Sequence, residues 1–194
     1  VVLSGASYAE SVYPHVAFRP ILDISLLVGP KDLTPLVSWL RRAEFKPEAA
    51  AAADSGSTLV SDGRTALWLH TSLTGSAEGD AALIQRAVPM KVYGPSMYRL
   101  ELEDALLSDV VLMARAGLQV PVLQFIDLRE LVTGATSLQG FYSRPVHAQT
   151  LLARAEAWGC ERPLWAALQI VRTLYPETER FIEPLLPKLN LPMR

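Results

Sequence analysis

The order of apolar segments along the chain is the feature that most restricts its fold. In the first half, short apolar runs alternate with one amphipathic segment, whereas the second half has almost throughout the spacing of amphipathic helices. Such separation of strands from helices is typical of α+β proteins. We therefore predict an α+β fold, with an α/β core over residues 1–102 and a helical half over residues 103–194 that packs on the core as one compact unit.

The predicted strands are short apolar runs over residues 1–3, 21–28, 59–60 and 66–69 and within 92–102. Asp62-Gly63 separates the third run from the fourth, and this dipeptide is typical of a hairpin turn. The alanine-rich stretch over residues 47–57 is expected to form a surface loop or an extra helical turn.

Helices are predicted over residues 5–12, 33–40, 106–114, 122–132, 146–158 and 163–174. Asp32 is expected to cap the second helix, and Gly117, Gly134 and Gly159 are expected to end three of the later ones. The proline-rich tail that follows has room only for short helical pieces.

Composition excludes several classes of protein. The net charge of −2 gives no basic footprint, so a nucleic-acid partner is not expected. No apolar run reaches the roughly 18 residues of a membrane span. A single cysteine, Cys160, excludes an internal disulfide, and the absence of a visible secretory signal favours the cytoplasm. The sequence begins at Val1 and not at methionine, which is consistent with a missing N-terminal segment.

Several short motifs occur in a fixed order along the chain. They are Leu3-Ser4-Gly5-Ala6-Ser7, Tyr13-Pro14, Arg19, Leu22-Asp23-Ile24-Ser25-Leu26-Leu27-Val28, Leu67-Trp68-Leu69-His70 and Ile126-Asp127-Leu128. Together they resemble the uncharacterised nucleotidyltransferase-like family, in which the second strand carries Asp-Ile-Asp and a neighbouring strand carries Ile-Asp-Leu-His. The resemblance spans nearly the whole chain and implies a nucleotidyltransferase-like mixed sheet with helices.

The resemblance also implies a site for Mg²⁺ and a nucleoside triphosphate, held by carboxylates on adjacent strands. Residues i and i+2 of a strand share a face, so the two carboxylates of Asp-Ile-Asp can bind the same ions. In this chain only Asp23 keeps its carboxylate, as the metal ligand and catalytic residue. Ser25 and Trp68 stand at the other two positions, and His70, a second catalytic candidate, shares the face of Trp68.

Nucleotide-binding residues follow from the same resemblance. Ser4 and Gly5 form the glycine turn, where many relatives have Lys-Gly, and Arg19 and Ser25 are the other candidates. A structural role is an alternative for each charged residue: Asp23 would then pair with Arg19, and His70 would be a hydrogen-bonded strand residue.

Two further side chains have a predicted role in structure instead of chemistry. Asp127 is expected to pair with Arg129, Arg115 or a backbone amide, and Cys160 lacks the basic surroundings of an activated thiol.

We therefore predict a catalytically degenerate nucleotidyltransferase-fold protein that binds a nucleotide, a small molecule or a protein partner, without a cofactor. The alternative is an active Mg²⁺-dependent nucleotidyltransferase, acting on a small molecule or a protein. Such an enzyme would use Asp23 with further carboxylates, for which Glu101, Glu103, Asp62 and Asp54 are the candidates. A third hypothesis is a structural subunit that works through its helical half.

Overall fold

The computed structural model describes residues 1–48, 56–90, 94, 96–134 and 144–189. The chain forms two compact units, and each is built from two stretches of sequence. The sheet unit contains Val1–Ser7 and Pro20–Leu100, and the helical unit contains Tyr8–Arg19 and Glu101–Arg194. Strands and helices are segregated along the chain, so the predicted α+β class is confirmed.

The sheet unit contains one mixed sheet. Within the described residues its strands are β1 (Val2–Leu3), β2 (Ile24–Leu27), β3 (Lys46–Pro47), β4 (Ser57–Ser61), β5 (Ala66–His70), β6 (Val88–Pro89) and β7 (Tyr98–Arg99). Their order across the sheet is β3-β4-β5-β2-β1-β7-β6. The pairs β2–β5 and β1–β7 are parallel, and the other neighbours are antiparallel.

The outermost strand on each side of this sheet contains a proline. Pro47 lies in β3 opposite Val60, and Pro89 lies in β6 opposite Tyr98. Because proline has no N–H to donate, it is confined to outer strands, where it interrupts the row of donors that a further strand would need. Both edges of the described sheet are therefore poor templates for strand addition.

The first three helices are α1 (Ser4–Ser11), α2 (Pro30–Arg42) and α3 (Ala77–Arg86). The boundary between the two units falls inside α1, whereas α2 and α3 belong to the sheet unit. Sequence analysis did not predict α3. Its N-terminus is capped by Ser76, whose hydroxyl accepts the Gly79 N–H at 3.0 Å.

Helix α2 covers one face of the sheet with its predicted apolar stripe. Its Leu40 forms a buried cluster with Val60, Leu67 and Leu69, against which the rest of the stripe packs. The predicted cap is wrong, because the helix begins at Pro30 and places Asp32 in its first turn. Proline at the first helical position suits this start, since the N–H that it lacks has no partner inside the helix.

The helical unit is organised around a long buried helix. Its helices are α4 (Leu102–Arg115), α5 (Val122–Thr133), α6 (Ala148–Ala157), α7 (Glu161–Leu174) and α8 (Glu179–Ile182). Helix α4 contacts α5, α6 and α7 and buries Leu106, Leu107 and Val110 completely. Gly134 ends α5 as predicted, with a φ of 75° that favours glycine. Short 3-10 helices cover Val16–Phe18, Pro176–Thr178 and Leu186–Lys188.

Several predicted boundaries differ from the structure. The strand predicted over residues 21–28 is confined to β2, and α7 begins at Glu161, before the proline expected to open it. The predicted loop over residues 47–57 is wrong at both ends, where Pro47 belongs to β3 and Ser57 to β4. Its central residues 49–55 lie outside the described ranges.

Across the described ranges, the structure contains no helix that combines the length and the apolar character of a membrane span.

Candidate functional site

Strands β2 and β5 bring together Ser25 and Trp68, the two residues at which the resemblance implies carboxylates. Ser25 lies directly opposite Trp68, and Leu27 lies opposite His70. Residues that are directly opposed on neighbouring strands share a face, so these four side chains lie on one face of the sheet. The alternate residues of both strands pack in the apolar cluster under α2. The face of Ser25 is therefore the face opposite α2.

The Trp68 ring covers part of this face. It stacks on His70, with ring centroids 6.4 Å apart and planes inclined by 17°. On the far side of β5, the Ser57 hydroxyl lies 2.8 Å from His70 Nδ1, and the imidazole is buried. His70 is therefore held between an indole and a hydroxyl, and an indole occupies the surface beside Ser25.

Asp23 lies one residue before β2 and is exposed. Its spacing from Ser25 is that of two residues on the same strand face. In the described part of the chain, no residue forms a hydrogen bond or an ion pair with its carboxylate. Asp23 is thus open to solvent, and the alternative that it pairs with Arg19 is wrong.

The predicted glycine turn is a direct junction between β1 and α1. Leu3 pairs with Ser25, and the next residue, Ser4, has a φ of 47°. This left-handed conformation is uncommon for a residue with a side chain and costs of order 1 kcal/mol or more. Gly5 follows in the first turn of α1 and is buried. The first turn of α1 therefore begins next to the start of β2.

Arg19 lies in the helical unit, where its guanidinium is paired with Asp127. Nε donates to Oδ1 at 2.8 Å and Nη2 donates to Oδ2 at 2.7 Å, while the Tyr13 hydroxyl donates to Oδ1 at 2.7 Å. The predicted pairing of Asp127 with Arg129 or Arg115 is wrong, although its structural role is confirmed. The role of Arg19 in nucleotide binding stays a prediction. Its guanidinium already has a buried carboxylate partner.

Burial and charge act on this pair in different directions. Burial lowers the pKa of Arg19, but the hydrogen bond and the charge of Asp127 outweigh it and raise that pKa. Burial is the larger effect on Asp127, and it raises the pKa of the carboxyl against the opposing action of Arg19 and Tyr13. Burial and the neighbouring Asp127 also raise the pKa of the Tyr13 hydroxyl. Arg19 and Tyr13 therefore keep their protons, and both donate hydrogen bonds to the Asp127 carboxylate.

The acidic residues considered as additional metal ligands are engaged elsewhere. Asp62 accepts hydrogen bonds from two backbone N–H groups of its own turn. Glu103 is held by both terminal nitrogens of Arg144 at 2.6 Å, and Glu101 by Arg154 at 2.9 Å. These three carboxylates already have partners in the fold.

The described ranges contain no group of three or more His, Cys, Asp or Glu side chains placed to hold a metal ion. Asp54, the remaining candidate, lies outside those ranges. A two-metal site needs several carboxylate oxygens at one point, and Ser25 and Trp68 supply none. The residues of this face therefore do not fit the magnesium pair that the resemblance implies.

Sequence analysis missed α3, although signals for it are present. Ser76 is a good N-cap, Glu78 lies in the first turn and Arg86 in the last. Two residues of this helix, Ile84 and Gln85, line a cavity at the other end of β2.

A comparison with protein families gives one match. The family model described as "Uncharacterised nucleotidyltransferase" matches residues 1–176, which include the whole sheet unit and the helical unit through α7. Among the curated proteins, the comparison finds no relative of this chain.

Proposed function

Since the chain belongs to the uncharacterised nucleotidyltransferase family, we propose that it is a catalytically degenerate member, which binds a ligand or a partner without transferring a nucleotidyl group. The observation that carries this proposal is the direct pairing of Ser25 with Trp68 on the face opposite α2. Ser25 and Trp68 are neighbours in the fold, so both residues remove a carboxylate from the same small area of the surface.

The chemistry of phosphoryl transfer explains why these two substitutions matter. Catalysis depends on metal ions that bridge the phosphate oxygens and neutralise the developing charge. A serine hydroxyl is neutral and a poor ligand for Mg²⁺, and an indole nitrogen is a donor only. Trp68 also fills space, because its ring stacks on His70 beside Ser25. One carboxylate, Asp23, is too few for this mechanism.

Binding requires less than catalysis, and several polar groups lie near Asp23. The hydroxyls of Ser4 and Ser25 and the N-terminal turn of α1 belong to adjoining parts of the sheet unit. Backbone N–H groups at a helix N-terminus favour phosphate without any metal. These groups support a nucleotide as the ligand, with a small molecule or a protein as the other candidates. Arg19 contributes little to such a site, because Asp127 already binds its guanidinium.

An active enzyme is the second candidate, and one observation favours it. The Asp23 carboxylate is exposed and has no partner among the described residues, as a ligand awaiting a metal would. In that case Asp23 would share its ions with a carboxylate outside the described ranges, for which Asp54 is the candidate.

Thermal unfolding with ATP, with Mg²⁺ and with both together tests the proposal. A ligand that binds only the folded state raises stability by about 2.7 kcal/mol at a hundredfold excess over its dissociation constant. We expect Mg²⁺ to add nothing to the effect of ATP, and we expect no release of pyrophosphate in the presence of any acceptor. The matched control is the Asp23→Ala variant. A stabilisation that requires Mg²⁺ in the natural chain and is lost in this variant would establish a working metal site and overturn the proposal.

A further inference from the structure

A cavity of about 560 Å³ lies in the sheet unit, at the end of β2 that is farther from Asp23. Five residue steps separate Asp23 from Val28, on the order of 16 Å of extended chain. The apolar part of its lining includes Leu26, Leu27, Val28, Leu36, Ile84 and Met97. Cavities of this size with mostly apolar walls are typical of sites for small molecules. Ser25 and Trp68 are thus not part of the lining of this cavity.

Three polar side chains also line the cavity: Asp32, Gln85 and Tyr98. Across the described ranges, none of the three side chains has a hydrogen bond or ion pair with another residue. They come from α2, α3 and β7, so three separate elements each place one unpaired polar side chain at the same apolar cavity. Asp32 is the charged side chain among them.

The Asp32 carboxylate lies close to Gly29, which also lines the cavity. A Cβ atom at Gly29 would lie 2.9 Å from Asp32 Oδ2, so the carboxylate extends over the glycine. The Val1 ammonium is the other charged group of the lining. It donates a hydrogen bond to the Leu27 carbonyl at 2.9 Å, and burial lowers its pKa. The carboxylate of Asp32 is the negatively charged group of the lining, and no described residue forms an ion pair with it.

We propose that this cavity binds a small molecule with an apolar body and a cationic amine, whose ammonium pairs with Asp32. The apolar walls would bury the body of the ligand, and Gln85 and Tyr98 offer further hydrogen-bond partners near the charged end. The site is distinct from the proposed nucleotide site, because its lining contains none of Asp23, Ser4 and Ser25.

Binding of three matched probes tests the proposal: 2-phenylethylamine, 2-phenylethanol and 3-phenylpropanoate. Chemical-shift titration of the full chain should show that the amine binds most tightly, the alcohol less tightly and the carboxylate least tightly. The amine should bind about tenfold more tightly than the alcohol, which is the value of one partly exposed hydrogen bond between charged groups. Equal binding of amine and alcohol, or no binding of any probe, would overturn the proposal.

Four variants localise the effect. Asp32→Asn should remove the tenfold preference for the amine. Gly29→Ala keeps the charge but displaces the carboxylate, so it should reduce the preference. Ile84→Trp should weaken all three probes, because a larger side chain fills the cavity. Glu78→Gln removes the equivalent exposed first-turn acid of α3, which does not line the cavity, and should change nothing.

Each variant is first checked for an unchanged unfolding midpoint. An equal loss of amine binding in Asp32→Asn and Glu78→Gln would show a general effect of charge and would contradict the site. The nucleotide experiment has its own variants on the other face, so either proposal fails without the other.

Discussion

Arg19 and Asp127 form a bidentate ion pair across 108 residues of chain, with N–O distances of 2.8 Å and 2.7 Å. Both side chains are nearly inaccessible, with 8% and 1% of their surfaces exposed. Arg19 belongs to the early stretch of the helical unit and Asp127 to α5. The pair therefore ties the two stretches of the helical unit together at a buried point.

Breaking this pair from one side should be costly. Asp127→Ala leaves the Arg19 guanidinium buried without its partner, and we expect a loss of about 3–5 kcal/mol in the free energy of unfolding. The double variant Arg19→Met with Asp127→Leu should lose much less, because no charge is left buried. Urea unfolding of the single and double variants measures both values. Arg129→Gln, which removes a partly exposed ion pair with Glu130 and a contact with the Tyr175 ring, is the control, and a loss in Asp127→Ala as small as in this control would contradict the buried pair.

The pH dependence of stability should depend on Glu103. Burial raises its pKa, but the hydrogen bonds from Arg144 and from the His147 N–H outweigh burial, so the pKa lies below its ordinary value of 4.5. A carboxyl whose pKa is lowered by folding stabilises the protein above its unfolded pKa, and this stabilisation is lost as the pH falls through the folded pKa. Glu103→Gln should therefore cost about 2 kcal/mol near neutral pH.

That difference between the natural chain and Glu103→Gln should shrink as the pH falls below 4.5. Urea unfolding at a series of pH values measures it. Glu156→Gln removes an exposed carboxylate of α6 and should leave the pH profile unchanged. A difference that stays constant down to the acid end would show that the Arg144 pair does not act through the charge of Glu103.

Mg²⁺ binding on the face opposite α2 should require carboxylates at both position 25 and position 68. Ser25→Asp alone still leaves an indole directly opposite the new carboxylate, so we expect no measurable Mg²⁺ binding. Ser25→Asp with Trp68→Asp should bind Mg²⁺, with some loss of stability from missing packing and from three carboxylates that repel each other without metal.

Isothermal titration with Mg²⁺ and a non-hydrolysable triphosphate measures this binding. Ser25→Asp with Leu59→Asp is the control. Leu59 pairs with Trp68 on the side away from Ser25, so its replacement by Asp adds the same charge one strand farther from Ser25. If the single variant bound as tightly as the double variant, Trp68 would not obstruct the site.

Cys160 should be inert in the folded protein. Its thiol is buried at the start of α7, and burial together with Glu161 raises its pKa to about 12. At pH 8 roughly one thiol in ten thousand would be ionised, and the thiolate is the reactive form. A thiol reagent at pH 8 should therefore modify the native chain far more slowly than the same chain in 6 M guanidinium, as mass spectrometry would show. Equal rates would mean that Cys160 is accessible in the native state.

Local patterns in the sequence were sufficient for much of the fold. The stripe of α2 and the αL glycine after α5 depend on spacing and backbone conformation within a few residues, and both predictions are confirmed. Helix α3 has fewer large apolar residues, and its buried positions include Asp80, so periodicity alone did not reveal it. The two-residue strands β3 and β6 exist only through pairing with their neighbours, which no local pattern encodes.

In the candidate site, too, contacts between residues far apart in the sequence could not be predicted from local patterns. The resemblance implied that Ser25 and Trp68 lie on neighbouring strands, and the two residues are directly paired. It could not supply the partner of Arg19, since a contact over 108 residues depends on how α5 packs in the helical unit. Local reasoning chose charges that are near in sequence, Asp23 for Arg19 and Arg129 for Asp127, and both choices were wrong.

The division of the helical unit into two stretches affects the order of events during synthesis. Arg19 is translated 108 residues before Asp127, an interval of roughly 5–20 s at ordinary rates of translation. Through that time the guanidinium lacks its Asp127 partner, and the buried ion pair must wait for α5. A chain stopped at Ile126 should thus show no protected amides over Tyr8–Arg19 in hydrogen exchange, whereas the complete chain should protect them.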